Sequence, residues 1–165
     1  MIIETQQAVE LLKGVPAEIS MFIISMTPVF ELRGAIPVGI GAYKMGIWET
    51  YFWAVLGNFV PVVLLVFFLE AVANFLSKHF SFWRKFFDWL FERTRRRAKD
   101  KIEKYGDWGL FFLVAVPLPV TGGWTGSLAA FLFGIKRKKA IPIIFLGIMA
   151  AGVIVTVLTV GIGKL

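Results

Sequence analysis

The sequence predicts an all-α integral membrane protein. Its expected architecture is an inverted repeat of two units, each a re-entrant helical hairpin plus one transmembrane helix, with an amphipathic interfacial helix between them. Three observations predict this. Of the 165 residues, 58% are hydrophobic, whereas a soluble domain holds about 45–50%. The excess sits in four long apolar segments, two of them built around long charge-free runs. The other two are interrupted near their middles by proline, glycine and polar residues.

The segments built on those runs are the spanning helices, expected at 48–73 and 140–162. The first contains WAVLGNFVPVVLLVFFL and the second IPIIFLGIMAAGVIVTVLTVGI. Both exceed the roughly 20 residues that cross a hydrocarbon core of about 30 Å. Pro61 lies inside the first and is a candidate kink.

The interrupted segments are expected to be hairpins at 18–47 and 107–135. The first is broken by Thr27-Pro28, Glu31, Arg33, Gly34 and Pro37, the second by Pro117, Pro119, Gly122 and Gly123. Each apolar arm is about 9–12 residues, or about 14–18 Å of helix, roughly half the hydrocarbon core. A re-entrant hairpin with its tip at mid-bilayer fits these lengths; one kinked spanning helix per segment is the alternative. Broken backbone at that depth requires cover by protein or a wet cavity.

Between the halves, residues 77–104 form an amphipathic basic connector. As a helix, SFWRKFFDWLFE places Arg84, Asp88, Glu92 and Arg95 on one face and Trp83, Phe86, Phe87 and Leu90 on the other. That is the pattern of an in-plane interfacial helix, followed by a solvated basic stretch from Arg93 to Lys104. The chain is thus read as one membrane domain, 1–165, with a first repeat at 1–76 and a second at 105–165. Both repeats carry a broken hairpin, a second arm ending in Gly-Ile and a Leu-Gly pair in the spanning helix, offset by about 88–90 residues.

The net charge is +7, and ten of the 18 Lys and Arg fall between Lys78 and Lys104. Four more are Lys136, Arg137, Lys138 and Lys139. Such clusters mark cytoplasmic loops and can attract anionic lipid; no nucleic-acid partner is expected. This orientation makes the second hairpin enter from the cytoplasm and the first from outside, with Tyr43-Lys44 and Leu165 outside. The expected location is the plasma membrane, as a multi-pass protein. The N-terminal MIIETQQAVELLKG has three charges and no long apolar core, so no secretory signal is expected there. Residues 2–12 have the length of a short interfacial helix.

With no Cys and a single His, His79, neither a thiolate nucleophile nor a multi-His metal site is expected. No cofactor, metal or enzymatic activity is predicted. The sharpest chemical feature is the pair Glu31 and Arg33 in an otherwise apolar hairpin, flanked by Thr27, Pro28 and Pro37. A charge at mid-depth costs about 2.5–3.5 kcal/mol on insertion scales, so it should be paired or hydrated. Spacing i,i+2 does not pair side chains on a regular helix, although an irregular tip permits it. Arg33 suits a phosphate or carboxylate because its planar fork donates two hydrogen bonds, and Glu31 is the candidate carrier of a coupling proton. A structural ion pair is the plain alternative.

The second tip has no charge. It offers Thr121, Thr125, the Trp124 N–H and the amides of Gly122 and Gly123, framed by Pro117 and Pro119. Amides freed at a helix break favour anions; glycines also simply allow close packing. Asn58 reads as interhelical glue more than as a ligand, Glu70 as interfacial, and Asp107 as a cap on the first arm of the second hairpin. The small residues Gly147, Ala150 and Ala151 offer a close-packing face, from which a homodimer or larger homo-oligomer is expected.

ELRGAIPVGIGAYKMGIW, followed by the tip PLPVTGGWTGS, resembles the small multidrug export protein family over most of the chain. More distantly, the arrangement is similar to the DedA (VTT-domain) superfamily, with paired re-entrant hairpins and embedded acidic and arginine residues. That resemblance implies proton-linked handling of lipids, including flipping of a polyprenyl phosphate, with the acidic-plus-arginine tip carried over onto Glu31 and Arg33. The chain departs from it in the second hairpin, where arginine is replaced by Thr121, Gly122, Gly123, Trp124 and Thr125, so a two-arginine clamp is not implied. The leading expectation is a proton-coupled lipid flippase. A lipophilic-cation exporter and a non-transporting lipid-binding scaffold are the alternatives.

Overall fold

The computed structural model describes Leu12, residues 14–117 and residues 121–162. The interfacial helix expected at 2–12 (Leu12 apart), Pro119 and Leu165 lie outside the described residues. Those described are helical, with turns and no strand. In order they form α1 (Ala17–Met26), α2 (Glu31–Gly41), α3 (Ile47–His79) and α4 (Ser81–Tyr105). A 3₁₀ turn (Gly106–Trp108) leads to α5 (Gly109–Ala115), α6 (Gly123–Leu132) and α7 (Arg137–Ile162).

Two helices, α3 with 33 residues and α7 with 26, are long and apolar enough to cross a membrane. Only 39% and 33% of their most apolar stretches are buried in the chain, unlike the core helix of a soluble domain. Phe52, Leu64, Phe68, Val72, Val153, Val157 and Leu158 stand exposed along them, as lipid contact requires. Helix α3 extends six residues past the expected end, to His79, whose Nδ1 lies 2.8 Å from the Phe75 carbonyl.

Each interrupted segment is two separate short helices packed on one another, α1 with α2 and α5 with α6. Proline sets the first break. Pro28 disfavours a helical conformation at the residue before it, and Thr27 is extended, at φ −73° and ψ 142°. The Thr27 hydroxyl donates to the Ile24 carbonyl at 2.8 Å and accepts the Phe30 N–H at 3.3 Å, closing the turn. In the second segment Val116, before Pro117, is likewise extended, and the Thr121 hydroxyl donates to its carbonyl at 3.1 Å.

The chain divides into two compact units, Met1–Val60 with Ile148–Leu165, and Pro61–Gly147. Each holds one short helix pair and part of both spanning helices. In the first unit α1 lies tight against α3: a Cβ on Gly57 would meet the Phe22 carbonyl oxygen at 2.3 Å, and the Ser25 hydroxyl donates to the Ala54 carbonyl. The Tyr51 hydroxyl reaches across to the Met149 carbonyl of α7 at 3.0 Å.

The second unit is built around Leu69, Ala73, Phe87 and Leu128. Helix α4 contributes more to it than the sequence indicates. The basic stretch after Glu92 stays helical to Tyr105, because the apolar stripe of Phe87 and Phe91 continues through Thr94 and Ala98, both buried. Gly109 then packs on the backbone of Lys101 and Ile102. Arg84, Asp88, Glu92 and Arg95 are exposed as expected.

Two smaller expectations change. Asp107 does not cap α5, which begins without a side-chain cap; its Oδ2 instead accepts from Lys139 Nζ at 2.8 Å. The small-residue face of α7 is already used within the chain, since Gly147 packs on Val114 and Phe111 and Ala151 is buried.

Candidate functional site

Glu31 opens α2 with φ +47°, the left-handed region that costs a non-glycine residue about 1–3 kcal/mol at such sites. This departure from helical backbone brings together side chains that i,i+2 spacing would hold apart. Arg33 Nη2 lies 3.7 Å from Glu31 Oε2. Glu31 is 5% exposed and is the only charged residue among the buried ones described. The pairing offsets the penalty for placing either charge in an apolar segment. The two partners differ in access: 21% of the Arg33 side chain is exposed against 6% for Glu31.

The first unit, which contains this pair, also holds a set of buried polar atoms without partners. Ser20 Oγ, Tyr43 Oη, Thr50 Oγ1 and both carboxamide atoms of Asn58 find no hydrogen-bond partner among the described residues. All four residues fall within Met1–Val60. By contrast, the hydroxyls of Thr156 and Thr159 in the same unit, and of Ser127 in the second, each donate to the carbonyl four residues back, the usual resolution inside a membrane helix. Among the described residues, then, the Asn58 carboxamide joins no other helix by a hydrogen bond. Buried amides and hydroxyls left this way cost about 1–3 kcal/mol each unless water or a ligand meets them. Sequence reading singled out Asn58 but missed Ser20, Tyr43 and Thr50; the available signal was the spacing of Thr50, Ala54 and Asn58 on one face of α3.

Of the other first-hairpin candidates, Thr27 and Pro28 build the break itself. Pro37 lies inside α2, where its ring nitrogen has no N–H to donate to the helical ladder. The second-tip candidates lie in the second unit. Pro117 ends α5's segment, Gly122 has φ +126° and ψ −160°, accessible in practice only to glycine, and Gly123 starts α6. Trp124 and Thr125 are half-buried in its first turn. Among the described residues no group of His, Cys, Asp and Glu could hold a metal ion.

The family model described as "putative small multi-drug export protein" matches residues 31–154, about three quarters of the sequence. The chain belongs to this family. The match begins at Glu31 itself, so it takes in the charged pair, the whole of α3, the second tip and α7 as far as residue 154. Membership makes the chain an all-helical membrane protein of an export family, a transporter kind. No curated protein and no solved structure matches the chain.

Proposed function

We propose that this member of the small multidrug export family is a proton-linked transporter of an amphiphile with an anionic head group, a lipid phosphate such as a polyprenyl phosphate. Arg33 is the anion-binding group and Glu31 its titratable counter-charge. The observation that carries this reading is the order of access within the pair: the guanidinium is the more exposed partner. At 3.7 Å the contact is longer than a charge-assisted hydrogen bond of about 2.7–2.9 Å, so an incoming phosphate can compete with the carboxylate for the guanidinium. Protonating Glu31 removes a competing negative charge and raises the affinity of the guanidinium for an anion. Deprotonation restores the pair and expels the anion.

The unpartnered Ser20, Tyr43, Thr50 and Asn58 support a hydrated path in the same unit, because water meets such groups at little cost. Each helix pair is a re-entrant hairpin in this proposal, the two halves forming an inverted repeat with the basic clusters on the cytoplasmic side of the plasma membrane. In the second hairpin the backbone amides at the start of α6 offer dipoles, and no charge, to a substrate. The resemblance to DedA proteins supports a lipid as cargo.

A second reading is favoured by the family's own description, multi-drug export. A lipophilic cation would then take Glu31 as its counter-charge. The test is reconstitution in liposomes, following leaflet exchange of a fluorescent polyprenyl phosphate alongside efflux of a lipophilic cation under an imposed pH gradient. Exchange that depends on Arg33 supports the first reading. Efflux alone, abolished in Glu31→Gln, establishes the second, and neither activity leaves a lipid-binding scaffold.

A further inference from the structure

The second unit contains a cavity of about 350 Å³ lined by the far part of α3, the end of α6 and the start of α7. Its walls are apolar, with Leu65, Leu69 and Ile135, and its rim carries Glu70, Lys136 and Arg137. The volume lies at the small end of ligand pockets, about 300–1,000 Å³, enough for a head group and its linker. Exposed Phe67 and Phe68 of α3 continue the apolar surface outward.

The rim charges are of both signs and do not neutralise one another. Among the described residues the Glu70 side chain forms no ion pair or hydrogen bond, and neither does that of Lys136. Arg137 is held toward α3 by stacking, its guanidinium carbon 5.4 Å from the Phe67 ring centre, which leaves its N–H groups available. Lys136 and Arg137 stand at the N-terminus of α7, where the positive end of the helix dipole adds to their own charge. The neighbouring Lys139 is satisfied by Asp107; these two have no acidic partner. A phosphate fits that corner. Glu70 on the facing wall disfavours a purely anionic head group and accepts hydrogen bonds from an ammonium. All of this lies where two spanning helices pass from apolar to charged sequence, the level at which lipid head groups sit.

We propose that this cavity binds a zwitterionic phospholipid with a primary-amine head group, its phosphate on Lys136 and Arg137 and its ammonium on Glu70. A quaternary ammonium carries the same charge but has no N–H to donate, so the site selects the primary amine. The inference rests on the chain's being a membrane protein and is independent of any role for Glu31 and Arg33.

The experiment is native mass spectrometry of the purified full chain. It is titrated with phosphatidylethanolamine, phosphatidylcholine or phosphatidylglycerol of matched acyl chains, and with free phosphorylethanolamine as competitor. The expected result is one tightly retained phosphatidylethanolamine, held about tenfold more strongly than phosphatidylcholine, as one charge-assisted hydrogen bond would give. Glu70→Gln should erase that preference and raise retention of phosphatidylglycerol. Lys136→Gln with Arg137→Gln should weaken all three, and Arg137→Lys should restore part of the loss. All three side chains are exposed, so these variants keep the fold, checked by helical circular dichroism. Equal retention of the two zwitterionic lipids by the wild type, unchanged selectivity in Glu70→Gln, or full displacement by an equal concentration of the free head group would each overturn the proposal.

Discussion

The two helix breaks solve one backbone problem with different residues. In the second unit the strained position is Gly122 at φ +126°, where the absence of a Cβ makes the conformation affordable. In the first unit it is Glu31 at φ +47°, a residue that gains nothing from that backbone. The same contrast extends to buried polar atoms: Ser127 of the second unit donates to the Gly123 carbonyl at 2.9 Å, whereas the unpartnered side-chain atoms all lie in the first unit. One unit is resolved internally. The other keeps a buried charge, a strained residue and unmet hydrogen-bonding capacity together, which a stable scaffold would have no reason to retain.

The largest expected effect tests that contrast directly. Arg33→Ala should reduce exchange of a phosphate lipid in liposomes to the protein-free rate, and Arg33→Lys should lose most of it, because a point charge lacks the two-pronged geometry. Arg33→Ala also removes the ion-pair partner of a buried carboxylate, a change that costs about 3–5 kcal/mol in buried pairs. Glu31→Gln with Arg33→Ala should recover thermal stability without recovering transport. Wild-type exchange by Arg33→Ala would end the anion reading. Glu31→Gln alone should retain lipid binding while its exchange rate becomes flat with pH; a pH profile like the wild type's would remove Glu31 from the proton step.

Next come the glycines that hold each unit together. Gly57→Val places side-chain atoms where the Phe22 carbonyl oxygen already sits, with no flexible neighbour to yield. Overpacking of this kind costs about 1–3 kcal/mol or more, read as a fall in the melting temperature. Gly122→Ala should cost about 1–3 kcal/mol through backbone strain alone. If the second break is architecture, that variant should lose stability and keep its substrate preference. A switch in preference from phosphate lipid to cation would instead make the second tip part of the recognition chemistry.

How much of this was legible follows from which residues act locally. The spanning helices and both breaks could be read because uninterrupted apolar length and a proline's effect on its predecessor are properties of the chain itself. Thr27 and Val116 are extended for the same local reason. What could not be read depends on partners distant in sequence. Asp107 looks like a cap until Lys139, 32 residues away, takes its carboxylate. Gly147 and Ala151 look like a surface for a second copy until the chain buries them. The connector looks like a solvated tail because the buried Thr94 and Ala98 are small residues among seven basic ones from Arg93 to Lys104. Glu31's left-handed backbone has no sequence signal at all, since the residue type argues against it.

The smallest stability effect is expected at Asn58, and it discriminates most finely. Asn58 is 1% exposed and neither carboxamide atom has a partner among the described residues. In a dry site that arrangement only costs free energy, and Asn58→Leu, close in volume, should raise stability by about 1–3 kcal/mol, the desolvation penalty of one unmet polar group. Where water or substrate meets the carboxamide, the substitution removes those hydrogen bonds along with the penalty. Stability should then stay within about 0.5 kcal/mol of the wild type while transport slows. Ser127→Ala supplies the control from the second unit, where the hydroxyl is internally bonded: a loss of about 0.5–1.5 kcal/mol and unchanged transport. A strongly stabilised Asn58→Leu that still transports at the wild-type rate would mean the first unit's polar atoms are unmet without purpose, and the contrast between the units would reduce to Glu31 and Arg33 alone.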